Sequence, residues 1–278
     1  MHTSVFAEEA VEQLNVKSGG KYIDATVGEG GHLEKILEKG GSALGIDWDE
    51  KQIKKLEEKI KNKETLTLMV GNFADIESIA KKHDFYPADG VLFDLGLSYD
   101  QLMTAGKGLS YQRDDELLDM RLNPELNNTA EYIINNFDTD RLYEIFAKNS
   151  EEINSRTIAE ALVRTRRMKH ISTVGELKKV IDRVVDHSDK RTYARVFQAL
   201  RMAVNKEREN LEKGLKGATR ILRTGGRGVV ITFHSVEDRV VKSFVRQHNL
   251  RRVAVNVAKK RDLYEFERSA YLRVFEKL

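Results

Sequence analysis

The sequence contains no cysteine and only two prolines among its 278 residues. Without cysteine, disulfides, thiolate zinc centres and cysteine nucleophiles are excluded. With so little proline and no low-complexity tract, a long disordered linker is not expected. There is also no run of about 18 apolar residues, so no membrane span is expected. The opening stretch, MHTSVFAEEAVEQL, reads as an amphipathic helix and lacks the charged and apolar regions of a signal peptide. The expected location is therefore the cytoplasm. No internal repeat and no metal-ligand spacing stand out.

What is present is an ordinary globular composition, 40% hydrophobic and 33% charged, enough for one large domain or one with a smaller domain attached. The net charge of +3 conceals an uneven distribution. Between Gly106 and Glu152 there are eleven acidic and five basic residues; between Arg239 and Arg261 there are eight basic residues and no acidic one. A second basic cluster, RTRRMKH, spans Arg164 to His170. Two such clusters suit a polyanionic partner, although a solvated basic surface has the same composition.

The first hundred residues alternate strand-like and helical patterns. KYIDATVG, SALGIDWD, LTLMVGNF and ADGVLFDLGLS read as strands, and amphipathic segments separate them. This order implies parallel strands with crossover helices. After about Gly106 the patterns are mostly helical. NTAEYIINNF offers Asn128 as an N-cap, and Thr173 and Glu176 have capping-box spacing. FQALRMAVNKERENLEKGLKGATRIL reads as one long helix stopped at RTGG, before a fifth strand, GRGVVITFHS. The expected organisation is a doubly wound α/β domain formed by residues 1–105 and 203–278, with residues 106–202 as an inserted helical domain for substrate recognition.

The glycine loop DATVGEGGH narrows the ligand. Gly28, Gly30 and Gly31 let backbone approach a ligand, but G-x-G-G is not the dinucleotide spacing, and no Lys-Ser/Thr follows to make a Walker A loop. Asp24 at the loop entrance would repel a pyrophosphate and attract an ammonium, which S-adenosylmethionine (SAM) carries; bracing of the loop is the alternative role. Asp47, at the end of the second strand, suits ribose hydroxyls of NAD and SAM alike. Phe73 is placed to pack on an adenine or simply in the core. Asp94 ends the fourth strand, where open α/β sheets bind ligands. It can hold the methionine end of SAM or accept from a substrate amine. His234 ends the fifth strand as a candidate general base, substrate-orienting donor or structural histidine.

DATVGEGGH, GIDWD, GNF, DLGLSYDQL, GLSYQRDDELLDMRL, FQALRMAVNKE, GGRGVVITFHSVEDRVVK and RSAYLR occur in this order along the chain. Together they resemble MraW-type SAM-dependent methyltransferases, with LDMR, FQALR and FHSVEDR far more specific than the glycine loop. The resemblance implies a Rossmann-like class I methyltransferase fold with a helical insertion. It implies methyl transfer to the exocyclic N4 of a cytidine in the decoding region of 16S rRNA, on the small ribosomal subunit; the sequence leaves monomer and homodimer equally open. It carries SAM contacts onto Gly30, Gly31, His32, Asp47, Phe73, Asp94 and Gln101, and places Asp119, Arg121, Arg195 and His234 near the target base. RNA phosphates would be gripped by the cluster containing Arg251 and Arg252, assisted by Arg164, Arg166 and Arg167.

The chain departs from the pattern at Thr192-Tyr193-Ala194 before Arg195, at Tyr99, at YEFE before RSA, and at Tyr271. All lie outside the implied SAM contacts. The implied chemistry is direct attack by the amine, with Asp94 and His234 as candidate proton-handling groups. The missing cysteine excludes the covalent thiolate route that cytosine C5 methylation needs. Two other classes share parts of this pattern: a nicotinamide-dependent oxidoreductase, disfavoured by Asp24, and a non-catalytic RNA-binding assembly factor with a retained SAM pocket.

Overall fold

A computed structural model describes residues 5–60, 64–97, 106–185, 190–255 and 269–278. The chain forms two compact units, one from Met1–Ser98 and Arg208–Leu278, the other from Tyr99–Glu207.

The first unit holds a seven-stranded sheet: β1 (Lys21–Asp24), β2 (Ser42–Asp47), β3 (Leu66–Val70), β4 (Ala88–Asp94), β5 (Leu222–Thr232), β6 (Arg251–Val253) and β7 (Tyr271–Glu276). Their spatial order is β3-β2-β1-β4-β5-β7-β6. β7 runs antiparallel to both of its neighbours, while the β3-to-β5 pairings are parallel. This is the expected Rossmann-like α/β architecture. Helix α1 (Ala7–Leu14) precedes β1, and α2 (Gly31–Glu38), α3 (Glu50–Lys59) and α4 (Ile76–Lys82) connect the early strands.

The strands are apolar on both faces because both faces are covered. Tyr22, Leu92, Val229 and Ile231 pack with α1 and α2 on one side; Ile23, Val91, Phe93 and Val230 pack on the other. The alternation of period two then decides where each strand-terminal residue points.

The second unit contains α5 (Ala130–Asn136), α6 (Thr139–Ser150), α7 (Ser155–Arg166), α8 (Val174–Asp182) and α9 (Lys190–Asn205) around a core that includes Leu142, Phe146, Ile158, Leu162, Leu177 and Leu200. Thr173 and Glu176 make the anticipated reciprocal capping box of α8. At α5 the cap is Thr129 rather than Asn128: its hydroxyl accepts the Tyr132 N–H at 3.0 Å.

Two boundaries differ from expectation. The long helix breaks at Lys206, whose φ of +51° is left-handed, so α9 ends and α10 (Glu207–Ile221) begins anew. Asn205 carries the break. Buried at 1% exposure, its amide donates to the Met120 and Arg201 carbonyls and accepts the Leu122 N–H, each within 2.9 Å. β5 begins at Leu222, so RTGG lies inside the strand. A register shift between Ala88 and Gly90 and the positive φ of Gly225 absorb the irregularity. The strand ends at Thr232, and His234 caps α11 (Ser235–Gln247). Among the described residues no helix is long and apolar enough to cross a membrane.

Replacing Asn205 strands several buried backbone groups at once. Asn205→Leu is expected to lower unfolding free energy by about 2–4 kcal/mol, measured by urea titration followed by circular dichroism. A loss below about 0.5 kcal/mol would show that the bonds do not hold the break.

Candidate active site

Three neighbouring strands, β2, β1 and β4, end in Asp47, Asp24 and Asp94. A row of carboxylates therefore crosses the carboxyl edge of the sheet, where an open α/β fold binds its ligand.

Asp24 is fully buried. Its Oδ1 accepts the Thr26 N–H at 3.3 Å, and its Oδ2 has no hydrogen-bond partner among the described residues. Burial, reinforced by the charge of Asp47, pushes its carboxyl up to about 7, against the weaker opposing effect of the Thr26 bond. A buried, unmatched carboxylate suits a cation.

Asp47 behaves differently. Its Oδ2 accepts the Gly28 N–H at 2.8 Å and its Oδ1 accepts the Asp49 N–H at 2.9 Å. Burial raises its pKa while these bonds oppose the rise. Each oxygen keeps a second lone pair for a hydroxyl donor. The Asp47–Gly28 bond also ties the glycine loop to β2. Gly30, at φ +85°, is the α2 N-cap, and a Cβ there would stand 2.5 Å from the Leu56 side chain. Gly31 starts α2, and Gly28 has φ +48°.

His32 is buried on α2. Its Nε2 lies 3.1 Å from the Val5 carbonyl, which can only accept, so Nε2 carries the hydrogen. Burial holds the ring down to about 4, hence neutral at pH 7. The 3.9 Å approach of Nδ1 to Asp94 Oδ2 is therefore not an ion pair at neutral pH. It is a meeting of two acceptors, a place for a ligand donor. Asp94 is fixed by its own N–H, which donates to the Thr26 hydroxyl at 2.6 Å. Thr26 thus serves both Asp24 and Asp94, a role sequence pattern does not reveal.

Phe73 follows β3 in a short 3₁₀ turn whose cap, Asn72, accepts the Ala74 N–H. Its ring meets Phe93 edge-on at 5.7 Å and lies against Gly214 of α10, fixed as one apolar wall beyond β3. Gln101 and Tyr99 lie outside the described residues.

His234 is the N-cap of α11. Its Nδ1 accepts the Glu237 N–H at 3.4 Å, and its Nε2 is 3.1 Å from Glu237 Oε1. Glu237, buried and three residues on, also accepts the Phe233 N–H at 2.8 Å. His234 Nδ1 is thus engaged by the start of its own helix, while its buried Nε2, although close to that carboxylate, has no hydrogen-bond partner among the described residues. Glu237 was not singled out from the sequence; its place three residues after the N-cap is the spacing that could have pointed to it.

In the second unit Asp119 and Arg121 pair with each other through two side-chain bonds of 2.6 and 3.1 Å. Arg121 also donates to the Pro124 and Leu126 carbonyls at 2.9 Å. The LDMR motif here braces a loop. Arg195 on α9 lies 3.6 Å from the wholly buried carboxylate of Glu152. Tyr193 donates its hydroxyl to Asp182; burial and that carboxylate push the phenol up to about 12.

The basic clusters divide. Arg166 donates to the Ile134 and Phe137 carbonyls at 2.6 and 2.5 Å, closing the end of α5, whereas Arg164 and Arg167 are exposed. On β6, Arg251 pairs with Glu276 and Arg252 is exposed. Tyr271 opens β7 with the Arg273 guanidinium 5.3 Å from its ring centre.

The chain matches the model of the MraW methylase family over residues 1–268. The Ribosomal RNA small subunit methyltransferase H of Desulfotalea psychrophila is 40% identical over 291 residues, covering 100% of this chain and 98% of that protein. The protein of the same name from Clostridium botulinum is 40% identical over 251 residues, 87% of this chain and 80% of that one. Among solved structures, an rRNA methylase from Streptococcus thermophilus aligns with a TM-score of 0.45 at 10% identity, over 98% of this chain and 93% of that chain.

Asp24 makes the ligand-free protein sensitive to pH. With a folded-state pKa near 7 against 3.8 for the reference carboxyl, the native state holds its proton longer than the unfolded chain does. Stability falls as pH rises from about 4 to about 7, by on the order of 4 kcal/mol from this group. Relative to Asp24→Asn, wild type is expected to lose stability progressively across that window in urea titrations. Parallel pH profiles would disprove the assignment.

Proposed function

Because the chain belongs to the MraW methylase family, we propose that it transfers the methyl group of SAM to the exocyclic N4 of a cytidine in the decoding region of 16S rRNA. The observation that carries this reading is the row Asp47, Asp24, Asp94 on adjacent strand ends, a chain of acceptors matched to hydroxyl, ammonium and amine donors.

The residues fit SAM at both of its ends. The unmatched Asp24 oxygen and the His32 Nδ1 face need a buried donor, which the ammonium provides; Asp47 has lone pairs for ribose hydroxyls. A pyrophosphate beside Asp24 would add repulsion to a group that already lacks compensation, which speaks against a dinucleotide. Gly28, Gly30 and Gly31 leave backbone open to close approach, and Phe73 supplies an apolar wall for adenine. SAM brings the electrophilic methyl.

The remaining work belongs to the chain. The cytidine amine is conjugated with its ring and weakly nucleophilic. Asp94, held through its backbone to Thr26, accepts a hydrogen bond from that amine, favours a localised lone pair and takes the proton released on transfer. His234 serves by capping α11 and fixing the corner after β5. Asp119 and Arg121 shape the second unit. Arg195, with Glu152 behind it, and the exposed Arg164, Arg167 and Arg252 supply contacts to RNA phosphates. The inserted unit is the substrate-recognition part, and the enzyme works on cytoplasmic small subunits.

Two measurements test this. Labelled SAM is supplied to unmethylated small subunits and the modified nucleotide is mapped. Asp94→Asn is expected to reduce turnover roughly 10²–10⁴-fold while SAM still binds by calorimetry; wild-type turnover in that variant removes Asp94 from proton transfer. Binding without transfer by wild type would favour the assembly-factor reading, and NADH binding in place of SAM the oxidoreductase reading. For RNA, the double change Arg164→Gln, Arg167→Gln is expected to weaken binding at all sequences and flatten the log–log salt dependence by about 1–2 units. Arg166→Gln should instead lower thermal stability. An unchanged salt slope in the double variant would remove this cluster from the RNA surface.

A further inference from the structure

Gly96 lies two residues beyond Asp94, and a Cβ built on it would stand 2.6 Å from the Phe233 ring. Its backbone leaves room for the ring only because a side chain is absent. Phe233 is held at both of its own backbone groups. Its N–H donates to Glu237 Oε2 at 2.8 Å, and its carbonyl accepts from the Ser269 hydroxyl at 2.6 Å. The Leu95 N–H donates to the Ile231 carbonyl at 3.1 Å, tying the segment after β4 to β5. The FHSVED stretch therefore builds a rigid corner in which His234 and Glu237 are the fasteners and the Phe233 ring is the group presented.

The ring packs beside the apolar cluster containing Leu92, Val229 and Ile231, the cluster that also takes Leu33 and Ile36 of α2. Asp94, two residues after Leu92, belongs to the same sheet face, as its approach to His32 confirms. Phe233 remains partly exposed. The described stretch Asp94-Leu95-Gly96-Leu97 has no aromatic of its own, and the ring from the neighbouring strand end lies against it at Gly96, two residues from the carboxylate.

We propose that Phe233 is a substrate-contacting residue: its ring is the wall on which the planar methyl-accepting base stacks while Asp94 engages the base's amine edge. This rests on the base-methylating function proposed above. An extruded base offers an apolar face and a polar edge and needs a partner for each. A ring already pinned through its backbone loses little freedom on binding.

The test is steady-state transfer from labelled SAM to unmethylated small subunits, with SAM affinity measured alongside. Phe233→Leu removes the aromatic face and is expected to raise KM for the subunit about ten- to a hundredfold, with SAM affinity within about twofold of wild type. Phe233→Tyr keeps the face and is expected to recover KM to within about threefold. Gly96→Ala, which pushes the ring aside without altering it, should reproduce the Leu phenotype and carries the test if the Leu variant does not fold. A wild-type KM in Phe233→Leu overturns the proposal. So does equal damage in the Leu and Tyr variants accompanied by loss of SAM binding, which marks a structural residue. If wild type binds SAM but methylates no small-subunit RNA, the function proposed above fails first and this proposal fails with it.

Discussion

A carboxylate taken wholly out of water must find a counter-charge, collect hydrogen bonds or keep its proton. Asp24 does none of the first two adequately: one oxygen takes a single long bond from the Thr26 amide, and the other has no partner among the described residues. This unresolved charge is the constraint around which the site is arranged. It sits on β1, between the strands that end in Asp47 and Asp94, and the charge of Asp47 adds repulsion to the cost of burial. The chain relieves Asp47 with two backbone amides and fixes Asp94 through Thr26, yet leaves Asp24 for a ligand. A site that is uncomfortable when empty binds a cation with an advantage equal to the discomfort relieved.

The same logic explains why the local turns are built so firmly. Donors around the site must not drift toward the vacant acceptor. The Gly28 amide is committed to Asp47, the Asp94 amide to the Thr26 hydroxyl and the His32 Nε2 hydrogen to Val5. His32 then shows its lone pair to the ligand side instead of a competing N–H. The Val5 carbonyl, immediately before α1, thereby chooses the tautomer of a residue 27 positions later, one physical reason for the first segment to pack into the core.

Much of this was legible in the residues. Strand ends marked by Asp24, Asp47 and Asp94 follow from apolar runs that stop at a charge, and the sheet places them side by side. The capping box at Thr173 and Glu176 follows from spacing alone. Partner choice was not legible. Nothing local distinguishes Arg166, which closes α5, from Arg164 and Arg167, which stay exposed, because the carbonyls that Arg166 serves are about thirty residues away in sequence. Nor does the continuous helical pattern through residue 206 betray the break there. That break depends on Asn205 finding partners at Met120 and Leu122, more than eighty residues earlier. The period of a pattern reports which face is buried; it does not report a tertiary bond that outweighs one turn of helix.

His234 shows how a motif residue can carry a structural task beside the chemical one that its position suggests. A histidine at the end of a strand in a specific motif invites a chemical role, and its neighbourhood near Asp94 encourages one. The structure commits Nδ1 to the Glu237 N–H, while Nε2, buried and 3.1 Å from Glu237 Oε1, makes no hydrogen bond among the described residues. Three side chains cooperate around one backbone corner: His234 caps, Glu237 accepts the Phe233 N–H, and the Ser269 hydroxyl, 36 residues on, donates to the Phe233 carbonyl. Each bond fixes backbone, and fixed backbone is what aims a side chain that has no polar group of its own. Here the reactive-looking members hold still the flat apolar ring that lies against Gly96.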